Sequence, residues 1–229
     1  MSNVEITKYF DATELRGIRD DLIFAVKNVS EPKVAIDCGC GAGSDINYLV
    51  ENDFTVYGFD VEEESISRCK SRFEGIDSVT LSRSTFSNFD YPKASLVVPD
   101  AGLFFCPRSE FENVWGKIYE CLNPGGVFCA SFLGPEDTMA SPDNNPSVFW
   151  PEVMVFEESE FKGLFQNFEV LRFKVHKSTG KTPQDVSHNW HIFQVVVQKP
   201  NKSKHAELYM LSPFLQKHSK IRQHSQAGI

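Results

Sequence analysis

A short apolar run, Val34-Ala-Ile-Asp-Cys38, ends in glycines at alternate positions, Gly39, Gly41 and Gly43, and then opens at Ser44 into a segment of helical spacing. Such a run reads as a strand buried on both faces. The glycines let the backbone turn sharply and approach a ligand closely. The helix that follows presents its unpaired N–H groups at the same point. In an open α/β sheet this is the crevice at the carboxyl ends of the strands, where ligands bind.

The remaining chain alternates in the same way. Helical spacing covers Thr13–Asn28, Ser44–Asn52 with Ser44 as a candidate N-cap, Glu62–Phe73, Arg108–Leu122 and Glu158–Phe168. Strand-like runs cover Lys33–Cys38, Phe54–Asp60, Val79–Ser82, Ser95–Val98, Val127–Leu133, Glu169–Val175 and His191–Gln198. The Arg108–Leu122 helix carries Phe111, Val114, Trp115, Ile118, Tyr119 and Leu122 on one face, and Asn123-Pro-Gly-Gly126 ends it. This order predicts a doubly wound, mostly parallel seven-stranded α/β sheet with helices on both faces. Three parts are expected: an N-terminal helical segment over 1–30, the main domain over 31–199 and a polar tail over 200–229. Gly134–Pro151 reads as a long loop of the kind that covers substrates, and Lys177–Asn189 as a polar connector.

Composition narrows the function. A net charge of −8 argues against a general nucleic-acid surface, and no apolar stretch is long enough for a membrane span. Cys38, Cys40, Cys69, Cys106, Cys121 and Cys129 form no CxxC pair and no zinc spacing. With Met1–Phe10 lacking a signal-peptide core, buried thiols in a reducing cytoplasm are the simplest expectation. A redox or chalcogen-handling role for some of them is the alternative. No metal site is expected.

A dinucleotide fingerprint, GxGxxG, would need glycine where Ser44 stands. The GxGxG spacing preceded by Asp37 instead resembles motif I of the class I S-adenosylmethionine-dependent methyltransferases. Asp60, closing Tyr57-Gly-Phe-Asp60, and Leu122-Asn-Pro-Gly-Gly-Val127 stand where that family has its second-strand acid and its turn before the fifth strand. Tyr9-Phe-Asp-Ala12, Arg16-Gly-Ile-Arg19, Phe132-Leu-Gly134 with Asp137, and Trp190-His-Ile-Phe193 look like the tellurite-resistance-type small-molecule methyltransferases.

The resemblance implies S-adenosylmethionine as cofactor and S-adenosylhomocysteine as product. It implies a loop of Asp37, Gly39, Cys40, Gly41 and Gly43 around the methionine portion, and Asp60 with Val61 at the ribose. Thr85 would lie near the adenine, and Pro99 and Asp100 near the sulfonium. From the residues themselves, Tyr9 and Arg16 precede the core and could close over the cofactor, with Arg16 or Arg19 meeting its carboxylate in a charge-assisted pairing; an ordinary surface helix is the alternative. The chain departs from the family pattern after the third strand, where Ser84-Thr-Phe86 replaces an acid, and at Ser95, where the fourth strand usually begins with Asp.

The expected activity is methyl transfer to a small molecule. Proteins or nucleic acids are alternative acceptors, a nucleotide-linked oxidoreductase is an alternative enzyme, and a silent cofactor-binding module is the non-enzyme reading. His191 is the candidate catalytic base, since an imidazole titrates near neutrality; a structural hydrogen-bonding role is the alternative. Phe149, Trp150, Trp190 and His191 are expected to wall the acceptor pocket.

Overall fold

The computed structural model describes residues 3–100, 102–140, 153–182 and 186–201. Seven strands form one sheet in the order β3-β2-β1-β4-β5-β7-β6, namely Val79–Arg83, Thr55–Asp60, Val34–Cys38, Ala94–Val98, Leu122–Leu133, Ser187–Gln198 and Glu169–Lys181. The first five run parallel, and β7 enters antiparallel between β5 and β6. Among the described residues there are six α-helices: α1 (Asn3–Thr13), α2 (Asp20–Lys27), α3 (Ser44–Glu51), α4 (Glu63–Arg72), α5 (Arg108–Cys121) and α6 (Glu158–Leu164).

Adjacent residues of the central strands divide between two cores, as the pleat requires. Ala35, Leu96, Val127 and Val196 face one side with Leu22, Ala25, Ile46, Leu49, Ile66 and Cys69 from α2, α3 and α4. Ile36, Val97, Phe128 and Val197 face the other side with Phe111, Val114, Ile118 and Phe161 from α5 and α6. The abundant phenylalanines concentrate on this second side. Trp115 meets Phe128 and Phe165 edge to face at 5.1 and 5.5 Å, and Phe161 stacks on Phe193 at 5.0 Å. Segment 1–30 is not an independent unit in packing terms, because Leu22 and Ala25 are fully buried against the sheet.

Several elements differ from the sequence expectation. The helix expected over Thr13–Asn28 is broken: α1 ends at Thr13, α2 begins at Asp20, and the intervening segment sends Arg16 and Arg19 inward to carboxylates. Ser44 is the first helical residue rather than the cap; Gly43 holds the cap position at φ +81°. The Ser44 hydroxyl instead reaches the Thr13 and Glu14 carbonyls at 3.1 and 2.8 Å, fastening the end of α1 to α3. Strand β5 already begins at Leu122, with its register to β4 shifting at the Asn-Pro-Gly-Gly turn. Helix α6 stops at Leu164.

The segment Lys177–Asn189 is largely not a connector. Strands β6 and β7 pair from Glu169↔Gln198 out to Lys181↔Ser187, whereas β5 follows β7 only from Gln198 to Ile192. The hairpin therefore extends past the sheet as a two-stranded ribbon. Residues 177–179 are exposed, and the partly buried positions facing them on β7 are His188 and Trp190 rather than aliphatic residues, so the ribbon carries none of the apolar alternation that marks a half-buried strand. Of the expected acceptor loop, 134–140 is described; Phe149 and Trp150, and the tail beyond Asn201, lie outside the described residues. No described helix is long and apolar enough to cross a membrane.

Candidate cofactor and acceptor site

The glycine loop follows β1 directly. Gly39, Gly41 and Gly43 adopt φ of +78°, +52° and +81°, a left-handed region that side chains rarely tolerate. The amides of Gly39 and Cys40 both donate to the Phe59 carbonyl, at 2.8 and 3.0 Å, which joins the ends of β1 and β2. Space is tight at the neighbouring strand end. A side chain on Gly102 would meet the Cys38 carbonyl at 3.0 Å, so the turn after β4 lies against the end of β1.

Asp60 is preset at the end of β2. One carboxylate oxygen accepts the Gly41 amide at 2.9 Å and the other accepts the Glu62 amide at 2.9 Å. Each oxygen keeps a further acceptor direction. Val61, next along, is 44% exposed, and its carbonyl takes a 3.0 Å hydrogen bond from Arg83 at the end of β3. Thr85 is exposed and is committed locally, its hydroxyl accepting the Asn88 amide at 3.2 Å.

The methionine end of the expected site holds a buried ionic cluster. Arg16 contacts Asp45 at 2.9 Å and Asp100 at 3.2 Å; Arg19 contacts Asp45 at 3.4 Å and Asp100 at 2.8 Å. Asp100 follows Pro99 at the end of β4, and Asp45 sits in the first turn of α3. Asp37, near the end of β1, completes the cluster with its side chain fully enclosed. Burial first, and then the Asp45 charge, hold its carboxyl well above the usual range despite Arg16. Burial likewise pushes Asp100 up, with Arg19 and Arg16 opposing. Three carboxyl groups therefore share two guanidinium charges, and Asp37 Oδ2 and Asp45 Oδ1 have no hydrogen-bond partner among the described residues. Arg19 Nε is also unpartnered in hydrogen-bond terms, because its 2.8 Å contact to Asp100 is out of line.

Buried atoms of both kinds without a hydrogen bond, carboxyl oxygens on Asp37 and Asp45 and the Arg19 Nε–H, beside a glycine cradle fit a ligand whose end carries an ammonium and a carboxylate. S-adenosylmethionine has such an end, and its ribose diol matches the remaining acceptor capacity of Asp60.

Helix α1 covers this loop. The Phe10 ring is buried with one carbon 3.9 Å from where a Gly41 side chain would begin. The helix is fastened by Thr7 to Glu64 at 2.8 Å and by Arg68, which reaches Asp11, Glu14 and Glu64 at 2.8, 3.2 and 2.7 Å. Tyr9 belongs to the same neighbourhood. Its phenol is pushed up by burial, with Asp100 and Asp60 adding and Arg16 opposing, so it stays a protonated donor at neutral pH.

His191 lies elsewhere, beyond the carboxyl end of β5. It is 5% exposed, and Nδ1 accepts the Glu136 amide at 3.2 Å. The neutral ring then carries its proton on Nε2. Its ring occupies the space above Gly134, 2.6 Å from where a side chain there would start. Asp137 ties the same loop to the ribbon: it accepts the His191 and Met139 amides at 3.0 and 2.9 Å and meets His188 Nε2 at 3.1 Å. Trp190 is half-buried, packed across the ribbon on Gly180.

The structure thus brings together Arg16, Asp37, Gly39, Cys40, Gly41, Gly43, Asp60 and Asp100, and leaves Thr85 on a separate turn. Asp45 and Asp137 are additions. Asp45 looks in sequence like any first-turn acid favoured by the helix dipole, and Asp137 is marked there only by its place in a family-like motif, with no role attached. Among the described residues no group of His, Cys, Asp and Glu is arranged to hold a metal ion.

Residues 35–126 match the family described as a methyltransferase domain. Among curated proteins, the carboxy-S-adenosyl-L-methionine synthase of Haemophilus ducreyi is 29% identical over 116 residues, 48% of each chain. The sterol 24-C-methyltransferase of Eremothecium gossypii is 33% identical over 106 residues, 44% of this chain and 28% of that one. The chain thus spans about half or less of the length of these relatives. TehB from Haemophilus influenzae superposes with a TM-score of 0.68 at 18% identity, covering 85% of this chain and 67% of that one. A 1,6-didemethyltoxoflavin-N1-methyltransferase from Burkholderia thailandensis, solved with S-adenosylhomocysteine, gives 0.58 at 18% identity and 86% coverage of both. Residues 35–126 are thus similar to a methyltransferase domain, and the described sheet has the Rossmann-like fold of the solved methyltransferases it superposes on.

Proposed function

We propose that the protein transfers a methyl group from S-adenosylmethionine to a small-molecule acceptor. The observation that carries the reading is the Gly41–Asp60 hydrogen bond at 2.9 Å, which holds a left-handed glycine loop against a strand-end carboxylate beside the Arg16–Asp45–Asp100 cluster. S-adenosylmethionine, when bound, supplies a methyl group already activated on a sulfonium. The chain's own residues then have to bind, orient and keep water out. Asp60 and Val61 would hold the ribose side. Asp37, the backbone of Gly39, Cys40 and Gly41, and Arg16 would hold the methionine end, with Pro99 and Asp100 closing the side toward the acceptor. Phe10 and Tyr9 cover the loop and exclude solvent.

Acceptor chemistry belongs to the opposite half of the carboxyl edge, around the Gly134–Ala140 loop and the ribbon. There His191 serves in our reading as a donor through Nε2–H and as the anchor of the loop. Base catalysis by His191 would require it to give up that tautomer. A small acceptor is supported by the compact, partly aromatic surroundings of Trp190 and His191 and by the overall negative charge, which disfavours a polyanion.

Calorimetry with S-adenosylmethionine and S-adenosylhomocysteine tests cofactor binding, and labelled methyl transfer across small thiols, amines, hydroxy compounds and chalcogen oxyanions tests the acceptor class. Tight binding with turnover on one such class is the expected result. Binding without turnover on any of them would favour a silent module, and turnover on protein or RNA would overturn the acceptor assignment.

A further inference from the structure

The loop after β5 holds two histidines of β7 in opposite ways. Strand β5 ends at Leu133 beside Ile192, so residues 187–191 of β7 stand beyond the carboxyl edge of the sheet, the edge that carries the glycine loop and Asp100. Consecutive loop residues grip this end of β7. The Glu136 amide donates to His191 Nδ1 at 3.2 Å, Asp137 accepts the His191 amide at 3.0 Å, and Thr138 Oγ1 accepts the Asn189 amide at 2.8 Å.

His191 therefore faces outward as a donor, through Nε2–H. His188 is the reverse case. Its Nε2 meets Asp137 Oδ1 at 3.1 Å. The Asp137 side chain is fully enclosed, and its two oxygens already accept the Met139 and His191 amides. The carboxylate is thus the acceptor, and His188 Nε2 carries the proton. The lone pair is left on Nδ1, which makes no hydrogen bond to any described residue. The side chain keeps 12% of its surface open, and Trp190 flanks the ring at 4.7 Å between centroids.

We propose that His188 takes the proton from the methyl acceptor, that Asp137 positions the ring for this, and that the acceptor's nucleophile is a hydroxyl. The proposal rests on the methyl-transfer reading above and deepens it. An imidazole backed by a buried carboxylate on one nitrogen and open on the other is arranged to take a proton. A thiol ionises readily, and a chalcogen oxyanion is already charged, so neither needs such a base. An alcohol or phenol is a poor nucleophile until its proton leaves. The indole of Trp190 beside the open nitrogen suits an aromatic ring bearing that hydroxyl. In the step, the hydroxyl oxygen attacks the methyl carbon, the C–S bond breaks with its electron pair going to sulfur, and the O–H proton passes to His188 Nδ1. A methyl ether, S-adenosylhomocysteine and an imidazolium held by Asp137 result, and the imidazolium returns its proton to water.

Two measurements on the full chain test this. Imidazole-nitrogen NMR at about pH 8, above the ordinary histidine range, reads the His188 tautomer without any turnover. A proton on Nε2 is expected, and a proton on Nδ1 would overturn the proposal. Initial rates with labelled S-adenosylmethionine and a panel of phenols and simple alcohols read the chemistry. His188→Gln keeps an N–H for Asp137 and has no basic nitrogen. It should melt and bind S-adenosylhomocysteine like the parent, while kcat on the hydroxyl acceptor falls about 100-fold or more, the usual contribution of a positioned base. His188→Ala should regain part of its rate when free imidazole is added, which a purely structural residue would not show. Unchanged kcat in His188→Gln, no rescue by imidazole, or failure of every hydroxyl compound to accept the methyl group would each overturn the proposal. A chain that bound no S-adenosylhomocysteine would bring down the proposed function itself, with the tautomer still read by NMR.

Discussion

The two ends of the sheet's carboxyl edge are built differently. The half we assign to the cofactor, β1 to β4, is assembled from short parallel strands, three of whose ends deliver a group to the proposed site: the glycine loop from β1, Asp60 from β2 and Asp100 from β4. The half we assign to the acceptor is assembled from β5, β7 and β6, where a long antiparallel hairpin reaches past the sheet and Asp137 fastens the Gly134–Ala140 loop to it. The matched methyltransferase domain, residues 35–126, covers the first half and stops inside β5. A shared cofactor needs a fixed set of groups at fixed strand ends. In our reading the acceptor meets the other half, whose loop is fastened by Asp137 to β7 rather than to the glycine loop.

The largest separation between the halves should come from Gly43→Ala. The residue would have to adopt φ +81° with its Cβ 2.8 Å from the Phe73 ring and 3.0 Å from Cys69. Backbone strain and overpacking together should cost about 2–4 kcal/mol, a fall in melting temperature of roughly 5–15 °C for a chain of this size. Cofactor binding should fall with it. An unchanged melting curve would show that the loop is not rigidly braced by α4.

Asp60→Ala removes the carboxylate that fixes both the Gly41 and Glu62 amides. Cofactor affinity should drop by about 1.5–3 kcal/mol, the range for hydrogen bonds to charged groups. Isothermal titration of S-adenosylhomocysteine against the variant measures this, and full retention of affinity would remove Asp60 from the site. On the acceptor side, His191→Ala should leave that affinity alone. It deletes a buried ring packed on Gly134 and Phe193 and orphans the Glu136 amide, so a stability loss of about 2–3 kcal/mol is expected. Normal stability with collapsed turnover would instead assign His191 to chemistry.

The smallest effect concerns pH. Asp37 binds its proton more tightly folded than unfolded, since burial and the Asp45 charge raise its titration. Stability from this group is therefore fully present below the unfolded carboxyl pKa and is lost as pH rises through the raised folded value. Asp37→Asn should melt a few degrees higher than the parent at pH 8, with the gap closing toward pH 4. A gap that widened on acidification would show that Asp37 is held ionised by Arg16 and Arg19.

The cofactor half was largely legible in the sequence because its signals are local. Strand, glycine spacing and strand-end acid occupy Val34–Gly43 and Phe54–Asp60, and each needs only its neighbours to be recognised. The break between α1 and α2 was not legible, since Arg16 and Arg19 look like surface residues of a continuous helix until Asp45 and Asp100 are in place. The ribbon was hidden for another reason: residues 177–179 are exposed and the partly buried position on the facing strand is His188, so the stretch Lys177–Asn189 carries no apolar period.

The sequence by itself determined the sheet class, the order of its elements and the position of the glycine loop, because backbone permissiveness and hydrophobic periodicity are written residue by residue. The tertiary structure decided which charges share a site. The Arg16–Asp45–Asp100 cluster with enclosed Asp37, the Asp137 anchor and the Cys69 contact to the Gly41 carbonyl all join residues that are distant along the chain. Their energies depend on burial and on distances of a few ångströms, and both come into being only when the helices close over the strand ends.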